Sequence, residues 1–226
     1  MRILFIRHGE PDYENDCLTA NGRAQAAAAA ARLKREGITK IFSSPNGRAK
    51  ETASYTADLL GLPVTVLEWL HEIDWGGPGV PADGHPWTLG DKMIEEDDFD
   101  FFREDWRKHP FFSKNKALAC YDRVAKEADG LLTAHGFRHE GTRFFCEAEE
   151  EETIAVFYHG GSGACVLAHL LSLPFPYVCV VFPYWLTSIS ELAFPVKGKA
   201  YVHPHVQLFN DVAHVTVGDA AWVAEN

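Results

Sequence analysis

The sequence predicts an α/β fold built on a mainly parallel sheet. Two observations predict it: short apolar, β-branched runs alternate with helical stretches in the order βαβαβ, and several of these runs end abruptly in residues that carry chemistry. Parallel strands joined by right-handed crossovers have helices on both faces. Their carboxyl ends then share one edge, where ligands bind.

Arg2 to Ile6 is the first strand, and Arg7-His8-Gly9-Glu10 follows it directly. Thr19 is placed to cap a helix whose alanine-rich body, Ala24 to Leu33, strongly favours that conformation, with Gly37 as its C-cap. Thr39 to Ser43 reads as a second strand broken by Ser44-Pro45. Gly47 to Leu60 has helical periodicity ending at Gly61, and Val64 to Leu67 is a third strand. Asp74 to Gly90 is rich in glycine and proline and reads as loop. Asp91 to His109 reads as an acidic, aromatic helical segment, and the charge run Glu95 to Asp98 suits a solvated face. Lys116 to His135 has helical spacing. Arg143 to Cys146 and Thr153 to Tyr158 return to strand, followed by His159-Gly160-Gly161-Ser162-Gly163 and a helix from Ala164 to Leu171. Thr187 to Phe194 and Ala200 to Leu208 read as the last strands. Residues 76–140 are expected to form an inserted cap of loops and helices within a single domain spanning 1–226.

The composition narrows the function. In 226 residues, 46% hydrophobic content is enough to fill a full-sized core, and a formal charge of −11 argues against nucleic acid or an anionic membrane as partner. Any cations serving an anionic ligand must therefore be local. Cys17, Cys120, Cys146, Cys165 and Cys179 are odd in number and contain no C-x-x-C pair, which suits free thiols. No signal-type or membrane-spanning apolar segment is present, so the expected setting is cytoplasmic. The sequence does not specify an oligomeric state.

Four segments place chemical residues after a strand or at a helix start: Arg7-His8-Gly9, Ser44 to Arg48, His71-Glu72 and His159-Gly160. Arginines grip phosphoryl oxygens, histidine can act as a nucleophile, and a carboxyl group can pass a proton. Meeting at one edge, they would form a phosphoryl-transfer site. In this order, the motifs Arg7-His8-Gly9-Glu10, Leu18-Thr19-x-x-Gly22-x-x-Gln25-Ala26, Ser43-Ser44-Pro45-x-x-Arg48-Ala49-x-x-Thr52-Ala53, Leu70-x-Glu72-x-x-x-Gly76 and His159-Gly160-Gly161 resemble the histidine phosphatase superfamily in its phosphoglycerate-mutase-like branch.

The resemblance implies a three-layer α/β/α sandwich with a mixed, mostly parallel sheet and a helical insertion over its catalytic edge. It implies His8 as nucleophile, with the Gly9 backbone accepting from its second nitrogen. Arg7, Arg48, a cationic His159 and Gly160 would bind phosphate, and Glu72 would be the proton donor. No cofactor or metal is implied, and the expected partner is a small phosphorylated substrate. Asn15, Asp74 and Trp75 are further candidates for substrate contact, and Asp74 also competes with Glu72 for the acid role. Trp69, Trp75 and Trp87 flank that acid as a possible apolar rim.

The chain departs from the family pattern at Pro11 and Glu14, where threonine and asparagine are common; Asn15 falls one step late. It also lacks the paired arginines of the glycolytic mutases. Arg103, Arg107, Arg123, Arg138 and Arg143 are dispersed, which favours phosphatase over mutase. Two other readings compete. One is a serine esterase using Ser162 in an incomplete nucleophile elbow with Asp211 and His214. The other is a phospholigand-binding protein without turnover. His203-Pro204-His205 has a spacing that metals use, but a surface strand explains it more simply.

Overall fold

A computed structural model describes residues 1–215. The chain runs β1 Arg2–Arg7, β2 Pro11–Asp12, β3 Cys17–Leu18, α1 Ala20–Leu33, β4 Lys40–Ser43, α2 Gly47–Leu60 and β5 Val64–Val66. It continues with α3 Pro86–Glu95, α4 Pro110–Ser113, α5 Lys116–Ala134, β6 Phe137–Glu140, β7 Arg143–Cys146 and β8 Thr153–Tyr158. It ends with α6 Gly160–Leu170, α7 Phe175–Val181, β9 Ile189–Ala193, β10 Ala200–Val202 and β11 His205–Asp211.

Six strands form the central sheet in the order β11-β9-β1-β8-β4-β5. The pairs β1–β8, β8–β4 and β4–β5 are parallel, whereas β9 is antiparallel to both β1 and β11, so the sheet is mixed and mostly parallel. The period-two alternation of strand side chains builds the layers. Leu4, Ile6, Ala155 and Phe157 face one side, packed with Leu33 of α1 and with Ala53 and Ala57 of α2. Ile3, Phe5, Ile154, Val156 and Tyr158 face the other, packed with Val124 and Ala128 of α5 and with Cys165 and Ala168 of α6. Because both faces are covered, β1 and β8 read as unbroken apolar runs.

Local chemistry explains the element ends. Thr19 caps α1, its hydroxyl accepting from the Gly22 amide at 3.0 Å. Gly61 ends α2 in the left-handed conformation. α1 instead closes at Lys34, and Gly37, at φ +71°, turns the chain three residues later.

Three expectations need correction. The helix expected over 91–109 begins at Pro86, inside the expected loop, because Pro86 sits in its first turn where a missing N–H costs nothing; it stops at Glu95. The helix expected from Ala164 starts four residues earlier, at Gly160. Glycine propensity argues against a helix there, but close packing overrides it: a Cβ on Gly163 would lie 1.7 Å from the Tyr158 ring, and one on Gly161 would lie 2.5 Å from Ile73. The single strand expected over 200–208 is two strands. Pro204 separates β10, which pairs with β7 in a second sheet of order β10-β7-β6, from β11 at the edge of the central sheet. β6 and α7 have no counterpart in the sequence reading. Within 76–140, α3 packs on α7, and α5 packs on α6 and β6.

Candidate active site

The edge where β1, β4 and β8 end gathers the predicted residues. The ladder continues past the strands: the His8 amide donates to Tyr158 O at 3.0 Å, and the Ser44 amide to Phe157 O at 2.9 Å. Three chain exits therefore lie side by side, carrying His8, Ser44 and His159.

His8 is 2% exposed, and its Nδ1 lies 2.7 Å from Gly9 O. A carbonyl only accepts, so Nδ1 carries the proton and Nε2 keeps its lone pair. Burial, then His159 and Arg7, push the His8 pKa well below that of a free imidazole, so the ring is neutral. The His8 and His159 rings lie 5.1 Å apart between centroids. His159 is fully buried, with its Nε2 2.7 Å from Ser44 Oγ. Burial, then Arg48 and Arg7, lower its pKa as well. The same causes therefore favour the neutral form of the His159 ring.

The loop after β1 is held by the residues of the helix motifs. Thr52 Oγ1 accepts from the Gly9 amide at 3.0 Å, and Gln25 Oε1 from the Glu10 amide at 2.8 Å. The Glu10 carboxylate in turn accepts from the Thr19 hydroxyl and the Asn21 side-chain amide, each at 2.7 Å. Gly9 and Gly22 must both be glycine, because a Cβ on Gly9 would lie 2.6 Å from Gly22 O and one on Gly22 would lie 2.2 Å from Glu10 O.

Arg48, at the start of α2, is 8% exposed and donates from Nη1 to Asp16 Oδ1 at 2.6 Å. Asp16 Oδ2 accepts from the Gly47 amide at 2.6 Å. Burial opposes ionisation of Asp16, but the Gly47 amide and the Arg48 guanidinium outweigh it and hold the carboxyl below its ordinary range. Sequence reasoning missed Asp16. A departure from the family pattern one or two positions earlier was the only signal.

Arg7 donates to Tyr184 O. Its guanidinium carbon and the Trp87 ring each lie 3.8 Å from where a Cβ on Gly160 would stand, which places Arg7 over the first turn of α6. Glu72 approaches the same turn: its carboxylate accepts from the amides of Ser162 at 3.0 Å, Ile73 at 2.9 Å and Gly161 at 3.4 Å. Asn46 Oδ1 joins the parts, accepting from the Glu72 amide at 3.2 Å and the Ser44 hydroxyl at 3.1 Å.

A cavity of about 730 Å³ opens over this edge, and Arg7, Glu72, Gly160 and Gly161 form part of its wall. His8, Arg48 and His159 are buried and are not among the residues that line it. Aromatic groups supply much of the rest: Tyr13, Trp75, His85, Trp87, Tyr184 and Trp185. Arg7 is the one arginine or lysine among the described residues that line it.

The other candidates fare differently. Trp75 and Trp87 line the cavity, as expected of a rim, whereas Trp69 packs against the core. Asn15 is exposed and outside the cavity wall, its side-chain amide donating to Asp12 at 2.8 Å; the Asp12 carboxylate also accepts from the Glu14 and Asn15 amides, closing an Asx turn just before Asp16, which faces Arg48. Asp74 is exposed and outside the cavity wall, so of the two acids only Glu72 stands in it. Ser162 is fully buried inside α6, which does not suit the competing serine-esterase reading, and His214 bonds to Thr187. Arg103, Arg107, Arg138 and Arg143 pair with acidic or aromatic side chains away from the cavity.

The family profile of the histidine phosphatase superfamily (branch 1) matches residues 3–205. Proteins named probable phosphoglycerate mutase GpmB, from Yersinia enterocolitica and Salmonella arizonae, are 34% identical over 85 residues, covering 34% of this chain. The matched stretch covers only 40% of those relatives' length. Among solved structures, an Entamoeba histolytica phosphoserine phosphatase mutant in complex with phosphoserine superposes with TM-score 0.63 at 22% identity, covering 95% of this chain and 99% of that one. A mycobacterial glucosyl-3-phosphoglycerate phosphatase with inorganic phosphate gives TM-score 0.66 at 24% identity, covering 95% and 99%. At these identities the likeness is one of fold.

Proposed function

The chain belongs to the histidine phosphatase superfamily, and from that premise we propose that it is a metal-independent phosphomonoesterase working through a phosphohistidine. The observation that carries the reading is His8: a buried, neutral imidazole whose Nδ1 is tied to Gly9 O, leaving Nε2 as the nucleophile.

In the first half-reaction His8 Nε2 forms a bond to phosphorus as the bond to the leaving oxygen breaks, and Glu72 gives that oxygen its proton. In the second, Glu72 takes a proton from water, the water oxygen bonds to phosphorus, and the N–P bond returns its electrons to His8. Arg7, Arg48, His159 and the Gly160 amide hold the non-bridging oxygens. The incoming dianion places an opposite charge beside His159 and so lets the ring take up a proton there. Asp16 keeps the Arg48 guanidinium oriented while satisfying only part of its donor set.

Hydrolysis is favoured over mutase action because Arg7, the one arginine or lysine among the described residues of the cavity wall, is taken by the transferred phosphoryl group, which leaves a second phosphate facing Asp91 and Glu72. The aromatic wall suits a leaving group with an apolar or ring face. Five free thiols fit a cytoplasmic setting.

Rapid-quench labelling with a phosphoester tests the reading. An acid-labile, base-stable phosphoenzyme on His8, with His8→Ala abolishing turnover of an aryl phosphate, is the expected result. Turnover with the label on another residue refutes the mechanism, and tight phosphate binding without turnover identifies a binding protein instead.

A further inference from the structure

Outside the catalytic cavity, three side chains from separate elements converge on one point. Asp129 comes from α5, His139 from β6 and His169 from α6. Asp129 Oδ1 lies 2.8 Å from His139 Nδ1 and 2.7 Å from His169 Nε2, and the two ring nitrogens are 3.2 Å apart. One oxygen and two imidazole nitrogens thus form a small triangle of donor atoms, within the span a single ion needs. Tetrahedral zinc, with ligands at about 2.0–2.1 Å, holds its donors about 3.3 Å apart. The triangle seen here is slightly tighter and would open a little on loading.

The surroundings suit a ligand set. The His139 ring stacks on Phe144 at 4.2 Å and 14°, so packing fixes its plane. Its Nε2 is buried with no hydrogen-bond partner among the described residues, so the ring is not held by a competing polar network. The side chains of His139 and His169 are 9% and 19% exposed, whereas that of Asp129 is 37% exposed, leaving an approach from solvent. Burial resists ionisation of Asp129, but hydrogen bonds from the two imidazoles hold its pKa at about 2, so it is a carboxylate at neutral pH. His139 and His169 also line a second cavity, of about 400 Å³, beside Trp106 and Tyr121. That space can admit water as a further ligand. Two imidazoles with one carboxylate suit zinc and its first-row neighbours better than calcium or magnesium, which prefer oxygen alone.

We propose that Asp129, His139 and His169 form a binding site for a divalent transition metal of the zinc class, which pins α5 and α6 to the β6–β7 hairpin. The site shares no lining residue with the cavity around Arg7, so its role is structural and the phosphate chemistry proceeds without it.

Chelator-stripped full-length protein titrated calorimetrically with zinc chloride tests this, with cobalt(II) absorption reporting coordination. The expected result is one equivalent bound and a rise in Tm of about 5–10 °C at a hundredfold excess over Kd, with hydrolysis of an aryl phosphate unchanged by the chelator. Asp129→Asn, a near-isosteric change on the most exposed ligand, and His169→Gln should each weaken binding at least tenfold. His203→Ala/His205→Ala should retain it. Circular dichroism accompanies each variant, and Asp129→Asn decides if His169→Gln misfolds. No stoichiometric binding to the unaltered protein overturns the proposal. So does an equivalent that survives Asp129→Asn with undiminished affinity, or one lost only with His203 and His205.

Discussion

Lowering the pH from 7.0 to 5.5 should destabilise this protein chiefly through two residues, His8 and His159. Both are buried and both have folded pKa values well below 6.5. In the unfolded chain each imidazole titrates near 6.5 and takes up a proton as the pH falls; in the folded chain it stays neutral. The unfolded state therefore binds more protons, and stability present above pH 6.5 is lost as the pH drops below it toward the folded pKa values. For a group that titrates at 6.5 only when unfolded, the change between pH 7.0 and 5.5 is about 1.3 kcal/mol, or roughly 2.5 kcal/mol for the pair. Urea unfolding at the two pH values, for the unaltered protein and for His8→Ala/His159→Ala, measures it. The double variant should lose about 2.5 kcal/mol less than the unaltered protein. Equal losses in the two would show that the histidines are not neutral in the folded protein, and would remove the basis for proposing His8 as a pre-deprotonated nucleophile.

Other substitutions probe the machinery around these rings. Glu72→Gln should slow hydrolysis of esters with poor leaving groups far more than of good ones, read as a steeper dependence of kcat/KM on leaving-group pKa; uniform losses would take Glu72 out of the acid role. Thr52→Val leaves the buried Gly9 amide without its acceptor, which should cost about 1–3 kcal/mol in urea unfolding and lower kcat by loosening the His8 loop. Gly163→Ala drives a methyl group into the Tyr158 ring and should destabilise by about 1–3 kcal/mol. Gly130→Ala, in α5 with nothing within 4 Å of the new Cβ, should stabilise by about 0.5–1 kcal/mol; thermal melts of the two variants should move in opposite directions.

The sequence by itself determined the parts of this protein whose reasons are local. Buried parallel strands read as apolar runs because both of their faces are covered, so β1 and β8 were legible to within a residue. α2 was legible from its helical periodicity and the glycine that ends it. Chemical residues at strand ends were legible because a parallel sheet has one such edge, and His8, Arg48, Glu72 and His159 are met there in the expected order. Tertiary structure decided whatever depends on neighbours distant in the chain. α6 carries glycine at 161 and 163, against intrinsic propensity, because Ile73 and Tyr158 leave no room for a Cβ at those two positions. Asp16 faces Arg48 from a turn 32 residues earlier, and Gln25 and Thr52 hold the loop after His8 by its amides. The neutrality of His8 and His159 belongs to the same class, since a charge state set by desolvation and by neighbouring cations exists only once the chain has closed around them.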